Sequence, residues 1–295
     1  MTRAVAVVNP AAGGGRTGRR WPALRDELTR LGLGFECVLT TGPGDGQRRA
    51  REAVAGGAAL VLAVGGDGTL NEVVNGVVDA PGVTVALLPT GRGRDAARNL
   101  GVALDPRRAL RRLAEGTDIR VDLGLAEWDD GTRRHFVNAA GVGFDAEVAR
   151  RARARGGAGT VPYVLAVLAA LRAHRPVAGR LAVSGAPDWT GALTAAIVAN
   201  GAHYGGGMKI APGAEPTDGT LDLVVLGAFG RLELLRWLPT VYRGGHVAHP
   251  RVRLQRVTRV RVEAEVPLPT HLDGEGGSPS PVTLSVRPGA LCLRV

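Results

Sequence analysis

Lysine is almost missing from this chain: Lys209 is the only one, so arginine carries nearly all of a net charge of +10. Such a bias is that of a GC-rich coding sequence, and it weakens any argument from charge alone. The missing lysines still exclude one chemistry, because no G-x-x-x-x-G-K-[ST] phosphate loop can be written. Aromatic residues are only 4% of the chain, and the basic clusters lack the interleaved rings of a single-strand binder, so nucleic acid is not an expected partner. Cysteine is scarce too. Cys37 and Cys292 lie far apart in strand-like apolar runs, which makes no metal constellation and reads as two buried, inert thiols. Long apolar runs are also wanting: Val161 to Leu171 is the longest, well short of the ~20 residues of a spanning helix. The apolar stretch at the N-terminus is shorter than the ~7–15 residues of a signal peptide. The expected location is cytoplasmic, with any membrane contact peripheral at the inner surface.

What the chain has in quantity is glycine, 44 residues of 295, mostly in short clusters between apolar runs. The first 125 residues read as repeated strand–turn–helix units. Strands are expected at Ala4–Val8, Phe35–Thr40, Leu60–Val64, Val83–Leu88 and Ile119–Leu123. Helices are expected across Trp21–Leu31, Gly46–Ala55, Leu70–Val77, from Asp95, and over Ala109–Ala114. Apolar strands alternating with helices argue for a parallel sheet covered on both faces. After Leu125 the strands follow one another: Arg134–Ala139, Arg180–Ser184, Gly191–Ala199, Leu221–Leu226, Arg251–Glu265 and Pro281–Val286. Alternation is plain in Arg259-Val260-Arg261-Val262, so this part reads as an antiparallel sandwich with half-buried strands. Two helical stretches interrupt it, Ala146–Arg172 and Leu232–Tyr242. The apolar residues of Val161–Ala173 read as core rather than as a groove for a lipid. The fold class is α/β plus β: an N-terminal three-layer α/β domain over 1–124, then a β-sandwich over 125–287.

Three glycine-rich turns follow predicted strands: Gly13-Gly14-Gly15, Gly65-Gly66-Asp67-Gly68 and Gly91-Arg92-Gly93. In an open parallel sheet all three fall at the carboxyl ends of strands, where ligands bind. Glycine lets backbone approach a phosphate, and a helix start presents free N–H groups to it. One such turn could simply end a strand; three along one edge argue for a polyphosphate cradle. G-x-S-x-G does not occur where serine hydrolysis needs it. His203 and Tyr204, in a glycine-rich loop, read as surface structure before they read as a site.

At these residues the chain resembles a known family. Gly65-Gly66-Asp67-Gly68-Thr69, followed by Asn71 and Glu72, is similar to the GGDGT signature of the diacylglycerol kinase catalytic domain family, which includes bacterial soluble lipid kinases and sphingosine kinases. Asn9-Pro10, the segment Leu88 to Arg98, Val121-Asp122-Leu123-Gly124, Asn138 to Ala146, Pro212 to Asp222 and Leu272-Asp273-Gly274-Glu275 resemble its further motifs in order. The resemblance implies an ATP-dependent kinase acting on a lipid hydroxyl, with the active site in a cleft between the two domains and the final strand, over 288–295, returning to the first. It implies ATP binding by Asn9, Thr40 (or Thr41), Gly65, Gly66, Asp67, Gly68, Thr69, Leu70 and Asn71. Glu275 becomes the general base, although beside Asp273-Gly274 it also reads as an ordinary hairpin-turn residue. Asp67, Asp95 and Asp122 would organise magnesium and the phosphates, and Glu215, Asp218 and Thr220 would form a structural magnesium site. The implied partners are a nucleotide and a lipid, with homodimerisation allowed. Phosphoryl transfer needs this combination of charge neutralisation and a carboxylate near the attacking hydroxyl.

One segment departs from the pattern. Where the family has threonine and asparagine, this chain has Arg92 and Arg94. Guanidinium can pair with phosphate in place of those residues, which keeps Arg92 among the expected nucleotide contacts. The same arginines could instead fill the nucleotide site. Two other functions therefore stay open: a kinase of a soluble acceptor, as NAD kinase is, and a nucleotide or lipid sensor without turnover.

Overall fold

The computed structural model describes residues 3–154 and 160–295. The chain divides into two compact units, one of Met1–Leu123 with Pro288–Val295 and one of Gly124–Arg287.

The first unit is a parallel sheet between helices. Its elements are β1 (Ala4–Val8), α1 (Ala12–Arg30), β2 (Glu36–Leu39), α2 (Asp45–Ala55), β3 (Leu60–Gly65), α3 (Asp67–Val77), β4 (Thr84–Pro89), α4 (Asp95–Asn99), α5 (Pro106–Glu115) and the first half of β5 (Asp118–Trp128). The order is β2-β1-β3-β4, all parallel, with the end of the chain's last strand beside β4. Every residue of β3 is buried, as expected for a strand covered on both faces. Local chemistry sets the helix ends. Asp105 caps α5 by accepting from the Arg108 N–H at 3.0 Å, Pro106 opens it, and Gly116 closes it in the left-handed region. The Gly13–Gly15 turn has three consecutive positive φ angles of 67°, 71° and 80°, so regular helix in α1 starts only after it. Helix α3 begins at Asp67, three residues before the expected Leu70, because Gly66 takes the N-cap position and the motif itself forms the first turn.

The second unit is a sandwich with a helical cover. It holds the rest of β5, then β6 (Arg133–Phe136), β7 (Ala139–Gly143), α6 (Phe144–Ala154), α7 (Thr160–Ala173), β8 (Val177–Val183), β9 (Trp189–Leu193), β10 (Ala195–Ala199), β11 (His203–Tyr204) and β12 (Met208–Lys209). β13 (Leu221–Leu226), α8 (Arg231–Trp237), β14 (Val252–Val257), β15 (Arg259–Ala264), β16 (Thr270–Leu272), β17 (Glu275–Gly277) and β18 (Val282–Arg294) follow. One sheet runs β14-β13-β10-β7-β16-β17; the other contains β18-β15-β8-β9. Between them lies a core of Ala140, Val142, Val198, Leu221 and Leu223 from the first sheet and Leu181, Val260, Val262 and Leu284 from the second.

Several expected strands are divided here, each for a visible reason. Arg134–Ala139 breaks because Val137, Asn138 and Ala139 give their N–H groups to the Asp273 carboxylate. Gly191–Ala199 breaks at Thr194 and Arg251–Glu265 at Thr258, where the chain passes from one sheet to the other. The expected final strand is not separate, since β18 runs unbroken from Val282 to Arg294. The expectation of half-buried strands fails for β10 and nearly all of β13. Their second faces pack in a further apolar cluster that includes Ile197, Val224, Ile210 and Ala211. The helical stretch from Ala146 falls into α6 and α7, with 155–159 outside the described residues, and the one from Leu232 gives way to 3-10 turns after Trp237. In α7 the core reading holds for Ala166, Val167, Ala170 and Leu171, while Val164, Leu165 and Leu168 are exposed. The cysteines also differ from expectation: Cys37 is exposed on the edge strand β2 and Cys292 is partly exposed, both as free thiols.

Candidate active site

The parallel pairing of β1, β3 and β4 brings the three glycine turns to one edge of the first unit. They touch there. Thr90 and Gly91 both donate backbone N–H groups to the Gly65 carbonyl, at 2.8 and 2.9 Å. A Cβ on Gly91 would stand 2.5 Å from the Cα of Gly66, so glycine is the residue this approach allows. Asn9 joins the first turn to the second, its Nδ2 donating to Thr69 Oγ1 at 3.1 Å and its Oδ1 accepting from Ala11 N–H at 3.1 Å. The opening N–H groups of α3 lie in this same turn, and its macrodipole is positive at that end.

The other expected nucleotide residues divide by role. Leu70 and Asn71 are fully buried, so Leu70 serves the core and Asn71 holds Asn75 through its carbonyl at 2.9 Å. Thr40 is nearly buried and extends β2, donating N–H to the Val8 carbonyl. Thr41 donates both N–H and hydroxyl to Asp45, whose pKa these bonds, the backbone one foremost, hold below the usual carboxylate value. Glu72, the last residue of the motif, accepts the N–H groups of Gly44 and Gly46, each at 2.8 Å, and ties α2 to α3. The two arginines separate as well. The Arg92 guanidinium lies over the first glycine turn, 2.8 Å from where a Cβ on Gly14 would stand. Arg94 sits at φ 55° and donates to the Leu104 carbonyl at 3.1 Å, which commits it to the loop before α5.

Of the three expected metal-organising acids, the structure brings two together. Asp67 accepts the N–H groups of Asp95 and Ala96 at 3.2 and 3.0 Å, capping α4. Asp95 is buried and paired with Arg98 at 2.8 Å. Asp122 is also buried, but it accepts the Gly289 N–H at 2.7 Å and so fastens the returning end of the chain. Within the second unit, Asp218 accepts both the N–H and the hydroxyl of Thr220, at 2.9 and 2.8 Å, while Glu215 is exposed. Asp222 follows on β13, and burial, foremost, pushes its pKa up. Among the described residues no group of three or more His, Cys, Asp or Glu could hold a metal ion.

Around Glu275 the second unit builds a constellation only partly foreseen. Asp273, at φ 49°, accepts three backbone N–H groups, from Val137 at 2.7 Å, Asn138 at 2.8 Å and Ala139 at 3.0 Å. Glu275 is half-exposed and lies 3.4 Å from Arg153 of α6, which also donates to the Gly274 carbonyl. His271 is buried, with Nε2 2.9 Å from Asp145 Oδ2, and the ring of Tyr204 lies parallel to it at 6.0 Å. His271, Asp145, Arg153 and Tyr204 were not among the expected site residues. Asp145 falls within the Asn138–Ala146 motif, and Tyr204 lies in the glycine-rich loop that read first as surface structure.

A parallel sheet with phosphate-type turns at its carboxyl edge, followed by a sandwich carrying an acid on a tight turn, defines a two-domain kinase class. Comparison with known proteins makes this specific. Residues 3–126 match the diacylglycerol kinase catalytic domain, and residues 138–295 match the YegS C-terminal NAD kinase beta sandwich-like domain. The chain is 31% identical to a diacylglycerol kinase of Mycobacterium tuberculosis, over 98% of this chain and 94% of that one. It is 34% identical to a probable lipid kinase YegS-like of Chromohalobacter salexigens, over 92% and 88%. A putative diacylglycerol kinase from Bacillus anthracis has the same fold, with a TM-score of 0.80 at 21% identity over 99% and 96% of the two chains. An Archaeoglobus fulgidus NAD kinase is more distant, with a TM-score of 0.57 at 15% identity over 99% and 93%. The chain belongs to the diacylglycerol kinase and YegS-like lipid kinase family.

Proposed function

We propose that this protein transfers the γ-phosphoryl group of ATP to a hydroxyl of diacylglycerol or a similar lipid. The observation that carries this reading is the joined edge of the first unit, where Asn9, Thr69, Gly66 and Gly91 meet beside the opening N–H groups of α3. Backbone N–H groups there suit phosphate oxygens, and the Arg92 guanidinium beside Gly14 adds a charged donor. Magnesium asks for only one or two protein carboxylates and keeps its waters. The adjacent acids Asp67 and Asp95 fit that demand, and the ion would supply neutralisation of phosphate charge. In the 215–220 loop the Asp218 carboxylate is likewise engaged, accepting the N–H and hydroxyl of Thr220.

Glu275 takes the proton of the acceptor hydroxyl as its oxygen attacks the γ-phosphorus, and the bond to the ADP oxygen breaks. Its contact with Arg153 is between half-exposed groups and so is weak enough to yield to an entering acceptor. Among the described residues no helix is long and apolar enough to cross a membrane. A lipid acceptor would then be met at a bilayer surface, and a peripheral contact at the inner membrane accords with the basic chain.

The test is incubation of the purified protein with γ-labelled ATP, magnesium and a panel of lipid alcohols in micelles. Label should pass to diacylglycerol or a related lipid, and Glu275→Ala should abolish transfer while ATP still binds. Transfer to a soluble alcohol but to no lipid would overturn the reading.

A further inference from the structure

The Asp145–His271 pair has no part in the reading above, yet it is among the most tightly built features of the second unit. Three elements converge on it. Asp145 stands in the first turn of α6, His271 is the middle residue of β16, and Gly141 of β7 lies beneath their bond. A Cβ on Gly141 would fall 1.9 Å from Asp145 Oδ2 and 2.6 Å from His271 Nε2. The glycine is therefore required by the pair, and the Gly141-Val142-Gly143-Phe144-Asp145 stretch encodes both the space and the acid that fills it.

The other face of the imidazole decides what the pair does. His271 Nδ1 is 3.3 Å from the Gly274 N–H, which donates to it. Nδ1 is thus the acceptor, and the ring proton sits on Nε2, directed at the Asp145 carboxylate. A chain of two hydrogen bonds runs from α6 through a buried ring to the amide N–H of Gly274, the residue before Glu275. Asp273 anchors the preceding residue through three backbone N–H groups, and Arg153 holds the Gly274 carbonyl. The Asp273-Gly274-Glu275 turn is fixed at its first residue by the sheet, but at its second by His271 and Arg153.

We infer that His271, oriented by Asp145, is a positioning residue that sets where the turn presents Glu275. This rests on the reading of Glu275 as the base. A hydrogen-bonded ring with no freedom to rotate holds the turn within the fraction of an ångström that proton transfer needs, and about 1 Å of misplacement can cost roughly a hundredfold in rate.

The two nitrogens can be separated by substitution. In His271→Asn the side-chain oxygen lies near the place of Nδ1 and can still accept from Gly274. In His271→Gln the amide reaches toward Asp145 and leaves Gly274 without a partner. With γ-labelled ATP and diacylglycerol micelles, His271→Ala and His271→Gln should each lower kcat by about ten- to a hundredfold with KM for ATP within about twofold. His271→Asn should recover most of kcat, and adding Asp145→Ala to His271→Ala should cost little more than either alone. Glu275→Ala is run alongside. If Glu275→Ala keeps wild-type turnover, the reading of the base fails and takes this inference with it. If Glu275→Ala is inactive while His271→Ala and His271→Gln turn over normally, the positioning role alone is overturned. A His271→Asn variant no better than alanine, or a loss shared equally between kcat and KM for ATP, overturns it too. Should His271→Ala fail to fold, the contrast between asparagine and glutamine decides.

Discussion

Replacing Gly91 with alanine tests whether the contact between two glycine turns makes the nucleotide edge. The added Cβ would stand 2.5 Å from Gly66 Cα, 3.1 Å from Gly66 N and 3.4 Å from Gly65 O. These are backbone atoms, so no side chain can swing aside; β3 and β4 must part at their ends by about 1 Å to restore ordinary contact distance. Overpacking of this kind costs about 1–3 kcal/mol. The Gly91 N–H···O=C Gly65 bond, 2.9 Å long, is strained with it and puts another ~0.5–1.5 kcal/mol at risk. A destabilisation of about 2–4 kcal/mol is expected, read as a Tm lowered by roughly 5–15 °C. The displaced turn carries the first N–H groups of α3, so ATP–magnesium affinity by calorimetry should fall at least about tenfold. Leu110→Ala is the control. That side chain is fully buried on α5, its loss should cost about 2–5 kcal/mol, and ATP affinity should stay unchanged in the folded protein. Wild-type Tm and affinity for Gly91→Ala would refute the reasoning, as would an equal loss of affinity in Leu110→Ala.

Two further outcomes follow from carboxylates in the second unit. Asp273→Ala leaves the N–H groups of Val137, Asn138 and Ala139 without their acceptor in a buried stretch, at an expected cost of about 3–5 kcal/mol, measured by urea unfolding. Asp222 has its pKa raised mainly by burial, so stability linked to its protonated form is full below the unfolded value near 3.8 and is lost as pH rises through the folded value. Asp222→Asn should therefore raise Tm at pH 7 in metal-free buffer, and the gain should vanish toward pH 3.5. A gain equal at both pH values would show that charge burial is not the cause.

Much of this fold was legible because its signals are local. Alternating strands and helices and turn glycines act within a few residues, and the first unit follows them closely. The second unit was harder to read. Gly191–Ala199 looks like one strand in the sequence because nothing marks Thr194 as the point where the chain changes sheets; its carbonyl and hydroxyl are claimed by Phe144 and Phe229, distant in sequence. The break at Val137-Asn138 depends in the same way on Asp273, more than a hundred residues on. The candidate site shows the same division. The glycine turns announce themselves, but His271 lies in a stretch where no element was expected, and nothing marks it until Asp145 and Gly274 are placed around it. Arg92 and Arg94 look equivalent in sequence, and they separate only in the fold, where Arg94 donates to the Leu104 carbonyl and Arg92 lies beside Gly14.

The acids of the motifs resemble one another in sequence and differ sharply in what they hold. Asp67 accepts the N–H groups that open α4, Asp122 accepts that of Gly289, and Asp273 accepts three in succession. Protonating any of these carboxylates would weaken main-chain bonds that shape the fold, so each is poorly suited to carry a proton during turnover. Glu275 stands apart. It faces Arg153, a half-exposed side chain that can move, and its turn is held by neighbours rather than by its own carboxylate. An acid that must gain and release a proton in every cycle is best placed where that exchange strains nothing. By this argument the turn at 273–275 divides the labour: Asp273 fixes the backbone, and Glu275 keeps the carboxylate that the proposed proton transfer requires.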